Sequence, residues 1–358
     1  MLGILEGALT ASKSEFDDLL TRLPRGIDSL YERILSRSPD VKRAKKILHI
    51  VVAATMPLTL DEMNFSLAVE PYHKSIRDLE QDLLPPAGTE NTLKEICGLF
   101  IRVIDSKIYL VHQTAKEFLI KDGETVCDNP SPGAWRHSLD PIESNYVIAN
   151  ICLSYLLLVD SKVDPAVIST PNRRLRLEVN HFPSRENFLG YAARNWTAHF
   201  QKAQIREGAN LLEPALKVCN TDFKGFRAWF QIYWDDIFQG TYDIPGTSSR
   251  LTDLMVVSYL GLEEVVQLLL KRGADVYEWD IEYGSALNMA ALGKQRGSAR
   301  LLLDSGGIFY IGDLGYEELH KVIVLLDSRF IILGLALRMD CFASQKASEI
   351  TPTCQRYS

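Results

Sequence analysis

The chain has 358 residues, 46% of them hydrophobic and 24% charged, with a formal net charge of −7. Length and balance describe two or three folded domains of an ordinary globular protein. They supply no general cationic field for nucleic acid or an acidic membrane, so partners of those classes are not expected.

The N-terminal stretch MLGILEGALTASKSEF has no basic segment and carries Glu6 early, so no signal peptide is expected. Residues 1–24 read as a helical remnant ahead of the first domain. Ile27, Leu30, Tyr31, Ile34 and Leu35 then fall at the spacing of one apolar helix face, ended by Pro39. VKRAKKILHIVVAAT (41–55) begins basic and becomes wholly apolar, which predicts a helix buried at its C-terminal end. Thr59 and Glu62 form a capping-box pair that opens a short helix. Ile76, Leu79 and Leu83 mark another helix, stopped by Pro85-Pro86. Thr92 with Glu95 reads as a second capping box. The period then changes. FIRVID and IYLVH are β-like runs around a short polar turn, a hairpin. Thr114 and Glu117 read as a third capping box. Helices, a two-stranded hairpin and a further helix make the order of a winged helix, placed at 25–122.

DGETVCDNPSPGAWRHSLDP is rich in Pro, Gly, Asp and Asn, so 123–140 reads as a linker. Residues 141–245 read as an all-helical arm whose large aromatics form the core between helix pairs. From 246 the chain repeats itself. Leu254 pairs with Leu287, the LLL of 268–270 with 301–303, and Gly273 with Gly306. Each offset is 33 residues, and GLEEVVQLLLKRGADV has the LLL-x-x-G ending of an ankyrin repeat. A weaker third unit begins at GYEELHKVIVLLDS, giving degenerate repeats over 246–338. The tail 339–358 has no apolar period and is expected to be disordered. The fold class is therefore mainly α: a winged helix with a small β-hairpin, a helical arm, then a short ankyrin-repeat solenoid.

LPRGIDSLYERIL, ATMPLTLDEM, IYLVHQTAKEFL, CLSYLLL and FLGYAARNWTAHF occur in that order ahead of the repeats. This ordered set, over about 20–338, resembles the C-terminal part of fungal NLR-like proteins of the NACHT–ankyrin kind. Their winged helix is the one named after GPI inositol-deacylase. The resemblance implies a molecular switch in which a nucleoside-triphosphatase core precedes the winged helix and the repeats sense a ligand. The chain departs from that pattern. It has no GxxxxGK[ST] loop, whose backbone N–H groups and lysine would cradle phosphates. It is accordingly expected to start downstream of the core, either through a truncated gene model or through loss of the core.

Within the resemblance, His112 matches a histidine that touches the bound diphosphate in related switch ATPases. It bears on a cofactor only if a nucleotide core is supplied. The alternative is a junction histidine whose ring bonds a backbone carbonyl while Thr114 caps the helix. For DNA binding, residues 25–120 hold thirteen Lys and Arg against thirteen Asp and Glu, and a neutral module lacks the phosphate drive. KRAKK at 42–46 reads as a solvated helix face. Asn64-Phe65-Ser66 and Asn195-Trp196-Thr197 match the glycosylation sequon but have no secretory context. His181 and His199 have no metal-ligand spacing around them. The six cysteines (97, 127, 152, 219, 341, 354) show no CxxC and read as reduced thiols of a cytoplasmic protein. No catalytic, metal or cofactor-binding residue is assigned, and the chain is expected not to be an enzyme. The expected partner is a protein, bound through the repeat tip Tyr277, Glu278, Trp279, Asp280 and Tyr283, since Trp and Tyr are favoured hot spots. Trp279 has a second reading, as a cover on the adjacent repeat.

Overall fold

The computed structural model describes residues 26–120, 135–159, 187–238, 251–280 and 283–308. The helical remnant 1–24, most of the 123–140 linker, His181, the third repeat and the tail lie outside them, as do Cys127, Cys341 and Cys354. The architecture is mainly α with a small hairpin. It divides into two compact units, 1–68 with 82–148, and 69–81 with 149–358.

In the first unit, helix α1 (Ile27–Leu35) buries Tyr31 and Leu35, while Ile27 of the expected apolar face stays half exposed. The Tyr31 ring packs edge-on to Phe100 at 5.2 Å and lies 5.5 Å from Phe118. Helix α2 (Val41–Ala53) is capped by Asp40, which accepts from the Arg43 N–H at 2.9 Å. Its apolar end buries Ile47, Leu48, Ile50 and Val52, as the sequence predicts. Helix α3 (Leu60–Ala68) opens on the Thr59–Glu62 capping box. The Thr59 N–H donates to the Glu62 carboxylate at 2.7 Å, and the Glu62 N–H donates to the Thr59 hydroxyl at 3.1 Å.

The short helix α4 (Ile76–Gln81), which belongs to the second unit, ends before Leu83. Helix α5 (Pro86–Cys97) corrects two expectations. The proline pair that should stop a helix starts one instead, because Pro86 takes a first-turn place where its missing N–H costs nothing. Thr92 and Glu95 then sit inside the helix and form no cap. A 3₁₀ turn, Gly98–Phe100, leads into strand β1 (Ile101–Ile104), which pairs antiparallel with β2 (Lys107–Leu110). The turn residues Asp105 and Ser106 have φ of 49° and 60°. Two positive values in a two-residue loop match the right-handed twist of the strands. Helix α6 (Gln113–Leu119) follows.

The expected linker gives way at Trp135. That side chain is 2% exposed, Leu139 is fully buried, and Leu139 bridges to Ile120. Two apolar side chains in the core outweigh the Pro- and Gly-rich character of the run. Helix α7 (Pro141–Leu158) begins in the first unit and ends in the second.

The second unit holds α8 (Asn187–Lys202), α9 (Leu212–Cys219) and α10 (Phe226–Phe238). Trp196, Trp229, Phe230 and Trp234 are all but fully buried, with the Trp196 and Trp229 rings edge-on at 5.5 Å. The Trp229 indole N–H donates to the Val218 carbonyl at 3.0 Å, so this polar edge is satisfied inside the core. The expected aromatic core of the arm is present.

Two helix pairs follow: α11 (Asp253–Leu260) with α12 (Glu263–Lys271), and α13 (Ala286–Leu292) with α14 (Arg296–Asp304). A two-residue hairpin, β3 (Trp279–Asp280) with β4 (Gly284–Ser285), stands between them. The pairs are built alike. Thr252 and Ser285 are the N-caps, and 285 − 252 is 33. Gly273 and Gly306 have φ of 86° and 87°, again 33 apart. At the third equivalent place Gly261 (φ 70°) faces Lys294 (φ 57°), a left-handed position that a lysine occupies only with strain.

Candidate functional site

His112 is the N-cap of α6. Its Nδ1 accepts from the Thr114 main-chain N–H at 3.2 Å and lies 3.0 Å from the Thr114 hydroxyl. An accepting Nδ1 is unprotonated, so the Thr114 hydroxyl donates to it. The Tyr31 hydroxyl, 2.9 Å away, then donates to Thr114 Oγ1. That leaves Nε2–H as the free donor of an exposed ring. This differs in two details from the reading of a junction histidine. The ring takes a backbone N–H where a carbonyl was expected, and His112 does the capping assigned to Thr114. Thr114 and Glu117 form no capping box, because the helix starts one residue before Thr114.

His112 lies on the rim of a groove of about 520 Å³. One wall is the C-terminal end of α2 with the turn after it, including Met56. The other is the outer face of the hairpin, with Arg102, Ile104 and Tyr109, and Lys116 also lines the groove. Met56 and Ile104 are 52% and 42% exposed. No carboxylate lines the groove among the described residues. Sequence reading singled out only His112 here. The strand alternation that puts Arg102 and Ile104 on one face, and the four-residue step from His112 to Lys116, were the available signals.

At the repeat tip the structure separates the five predicted residues. Tyr277 and Trp279 are 57% and 49% exposed, and Glu278 is exposed beside them. Asp280 is 3% exposed and accepts from the Tyr283 N–H at 3.0 Å. The Tyr283 ring packs edge-on to Trp234 of α10 at 6.0 Å. Asp280 and Tyr283 thus hold the tip, while Tyr277, Glu278 and Trp279 present it. The Tyr277 hydroxyl lies against the turn at Gly306, 3.0 Å from where a β-carbon would stand. The adjacent repeat is therefore touched by Tyr277.

The remaining candidates resolve structurally. Lys46 donates to the Leu67 carbonyl at 3.1 Å, and Lys45 stands 6.0 Å from the centre of the Trp135 ring. The basic run is thus partly used inside its own unit. Helix α5, ahead of the wing, carries Glu90 and Glu95 against Lys94, which pairs with Glu90 at 2.6 Å. The two sequon asparagines are engaged: Asn64 bonds both main-chain groups of Leu84, and Asn195 donates to the Tyr191 carbonyl. His199 is fully buried 3.0 Å from the Tyr191 hydroxyl, and burial, with Lys202, lowers its pKa to about 4. Cys97, Cys152 and Cys219 are free and buried. Burial raises all three thiols, Cys97 to about 12, which makes them inert at neutral pH. Among the described residues no group of His, Cys, Asp and Glu could hold a metal ion, and no helix is long and apolar enough to cross a membrane.

Comparison with known proteins adds to this geometry. Residues 31–127 match the family described as GPI inositol-deacylase, winged helix domain. The chain is 32% identical to vegetative incompatibility protein HET-E-1 of Podospora anserina over 104 residues, 28% of this chain and 7% of that protein. It is 26% identical to azaphilone pigments biosynthesis cluster protein L of Monascus ruber over 318 residues, 82% of this chain and 62% of that protein. The chain thus spans less than two thirds of either relative. No solved structure matches. The winged-helix match and the HET-E-1 similarity support kinship with fungal NLR-like proteins.

Proposed function

We propose that the chain is a non-enzymatic interaction and regulatory module of a fungal NLR-like signalling protein, acting in the cytoplasm. Its two helix pairs are ankyrin repeats that bind a protein partner through Tyr277, Glu278 and Trp279. The observation that carries this reading is the exposure of two large aromatics, 57% and 49%, on a tip braced by buried Asp280. Rigid, exposed aromatics lose little side-chain freedom on binding and bury much area, which is what an anchor needs. Nucleic acid is not a partner on this reading, because α5 is acidic and the basic run is partly engaged.

A photo-crosslinking residue placed at 279 tests it in extract of a producing fungus, with the same residue at exposed Tyr72 for comparison. A discrete protein adduct at 279 that is absent at 72 is expected. Equal labelling at the two positions overturns the reading.

A second reading is favoured by the cationic groove around His112 and by the small share of HET-E-1 that the chain spans. Here the chain is the C-terminal part of a NACHT nucleotide switch whose phosphate-loop core lies on another stretch of the protein. The coupling would be a biased equilibrium between two packings. Full-length transcript sequencing separates the two: an in-frame phosphate loop upstream makes His112 a diphosphate contact. On the first reading the chain by itself binds neither ATP nor ADP, and micromolar nucleotide binding measured by calorimetry overturns that.

A further inference from the structure

We infer that the groove between α2 and the hairpin is a docking site for an acidic, apolar segment of a partner protein. The site is separate from the repeat tip and does not rest on the reading given to it.

Three observations point to this occupant. The first is charge. Arg102 and Lys116 stand on the groove and His112 is on its rim, with no carboxylate among the described lining residues. Neither Arg102 nor Lys116 has an ion-pair partner among the described residues. The ion pairs of Lys94 with Glu90, Lys271 with Glu207 and Arg272 with Glu213 lie elsewhere on the chain. The second is the wall. Met56, Ile104 and Tyr109 give the groove apolar walls that a bare phosphate would leave unused, and Met and Tyr are enriched in interface cores. The third is size. About 520 Å³ takes several apolar side chains in a row, with carboxylates reaching the two long cations at the edge. Arg102 is exposed and Lys116 half-buried, so neither forms the fully buried ion pair whose desolvation cost is large.

The groove thus joins apolar side chains with charged ones, and among the described lining residues the charge has one sign only. That sign selects acidic partners and speeds their encounter.

The test uses the full chain and a fluorescein-labelled peptide of Glu, Leu and Phe, with its apolar residues at helical i, i+3, i+4 spacing. Control peptides carry Lys for Glu, or Ser for Leu and Phe. Anisotropy titration is expected to show saturable binding of the Glu–Leu–Phe peptide alone. The variant R102E/K116E should weaken it by about tenfold or more and take up the Lys peptide instead. Met56→Asp with Ile104→Asp should abolish binding. Circular dichroism of each variant checks its fold, and the switch of preference to the Lys peptide is a gain that unfolding cannot mimic. Trp279→Ala should leave every titration unchanged. The inference is overturned if the Glu–Leu–Phe peptide does not bind. It is equally overturned if the Ser control binds as tightly, if charge reversal has no effect, or if ADP displaces the peptide at equal concentration.

Discussion

The Glu32 carboxylate accepts from the Trp135 N–H at 3.0 Å and the Arg136 N–H at 3.3 Å, far along the chain. These bonds fasten the segment that buries Trp135. Asp28, one turn earlier, only meets the exposed Arg136 guanidinium at 3.4 Å. The two acids therefore differ in worth. Glu32→Ala should destabilise the first unit by about 1–3 kcal/mol, because it strands main-chain donors near the core. Asp28→Ala should cost less than about 1 kcal/mol, as for other exposed pairs. Urea denaturation of both variants checks the order. His199 gives a pH effect with a definite sign. Its folded pKa is lowered to about 4 from an ordinary 6.5, so the unfolded chain takes up the proton first. Stability is then lost as pH falls from about 6.5 towards 4, by up to about 1.4 kcal/mol per unit. His199→Gln should flatten that part of the melting-temperature profile. Buried His49, 2.9 Å from the Ser144 hydroxyl, is also lowered, mainly by burial, and acts in the same direction. Neither residue's role was legible in the sequence, since the partners of Glu32 and the burial of His199 are set by tertiary packing.

At the scale of the element, legibility depended on whether the signal was local. The Thr59–Glu62 cap, the hairpin and the buried end of α2 rest on neighbours in sequence, and the structure has them. Thr-x-x-Glu at 92 and 114 misled because the pattern also occurs inside a helix or two residues past its cap. Only the true start, set by Pro86 and by His112, decides. Exposure of the tip aromatics was expected, but the inward roles of Asp280 and Tyr283 depend on Trp234, 49 residues before Tyr283. The turn angles allow sharper predictions. Ser106 and Lys294 hold positive φ without being glycine. Ser106→Gly and Lys294→Gly should each raise stability by up to about 1 kcal/mol, because glycine enters that region without a β-carbon clash. Calorimetric melting temperatures of the two variants check this. Gly261, the equivalent of Lys294, shows the choice already made in the first repeat.

Across the whole molecule the five tryptophans make a compact test of burial. Trp135, Trp196, Trp229 and Trp234 are at most 2% exposed, and Trp279 is 49% exposed. Acrylamide should quench one red-shifted component of the native fluorescence and little else, and Trp279→Phe should remove that component. The order of winged helix, arm and repeats was readable because each has its own period: helical faces, then alternation, then a repeat of 33 residues. What lines the groove was not readable, since its walls come from stretches some 40 to 60 residues apart.

The arm and the repeats meet through Trp234 against Tyr259 at 5.2 Å and through Asp253, whose carboxylate accepts from the Thr221 N–H and hydroxyl at 2.7 and 2.9 Å. The first helix pair is thus keyed to one particular neighbour, while the second copies the first. This gives the array a polarity of growth. A duplicated unit inserted after Gly306 would inherit a template face and leave the arm untouched. A unit inserted ahead of Thr252 would have to reproduce the aromatic and carboxylate joint. Lineages that lengthen this array by duplication should therefore vary in copy number on its far side and keep the unit beside the arm single.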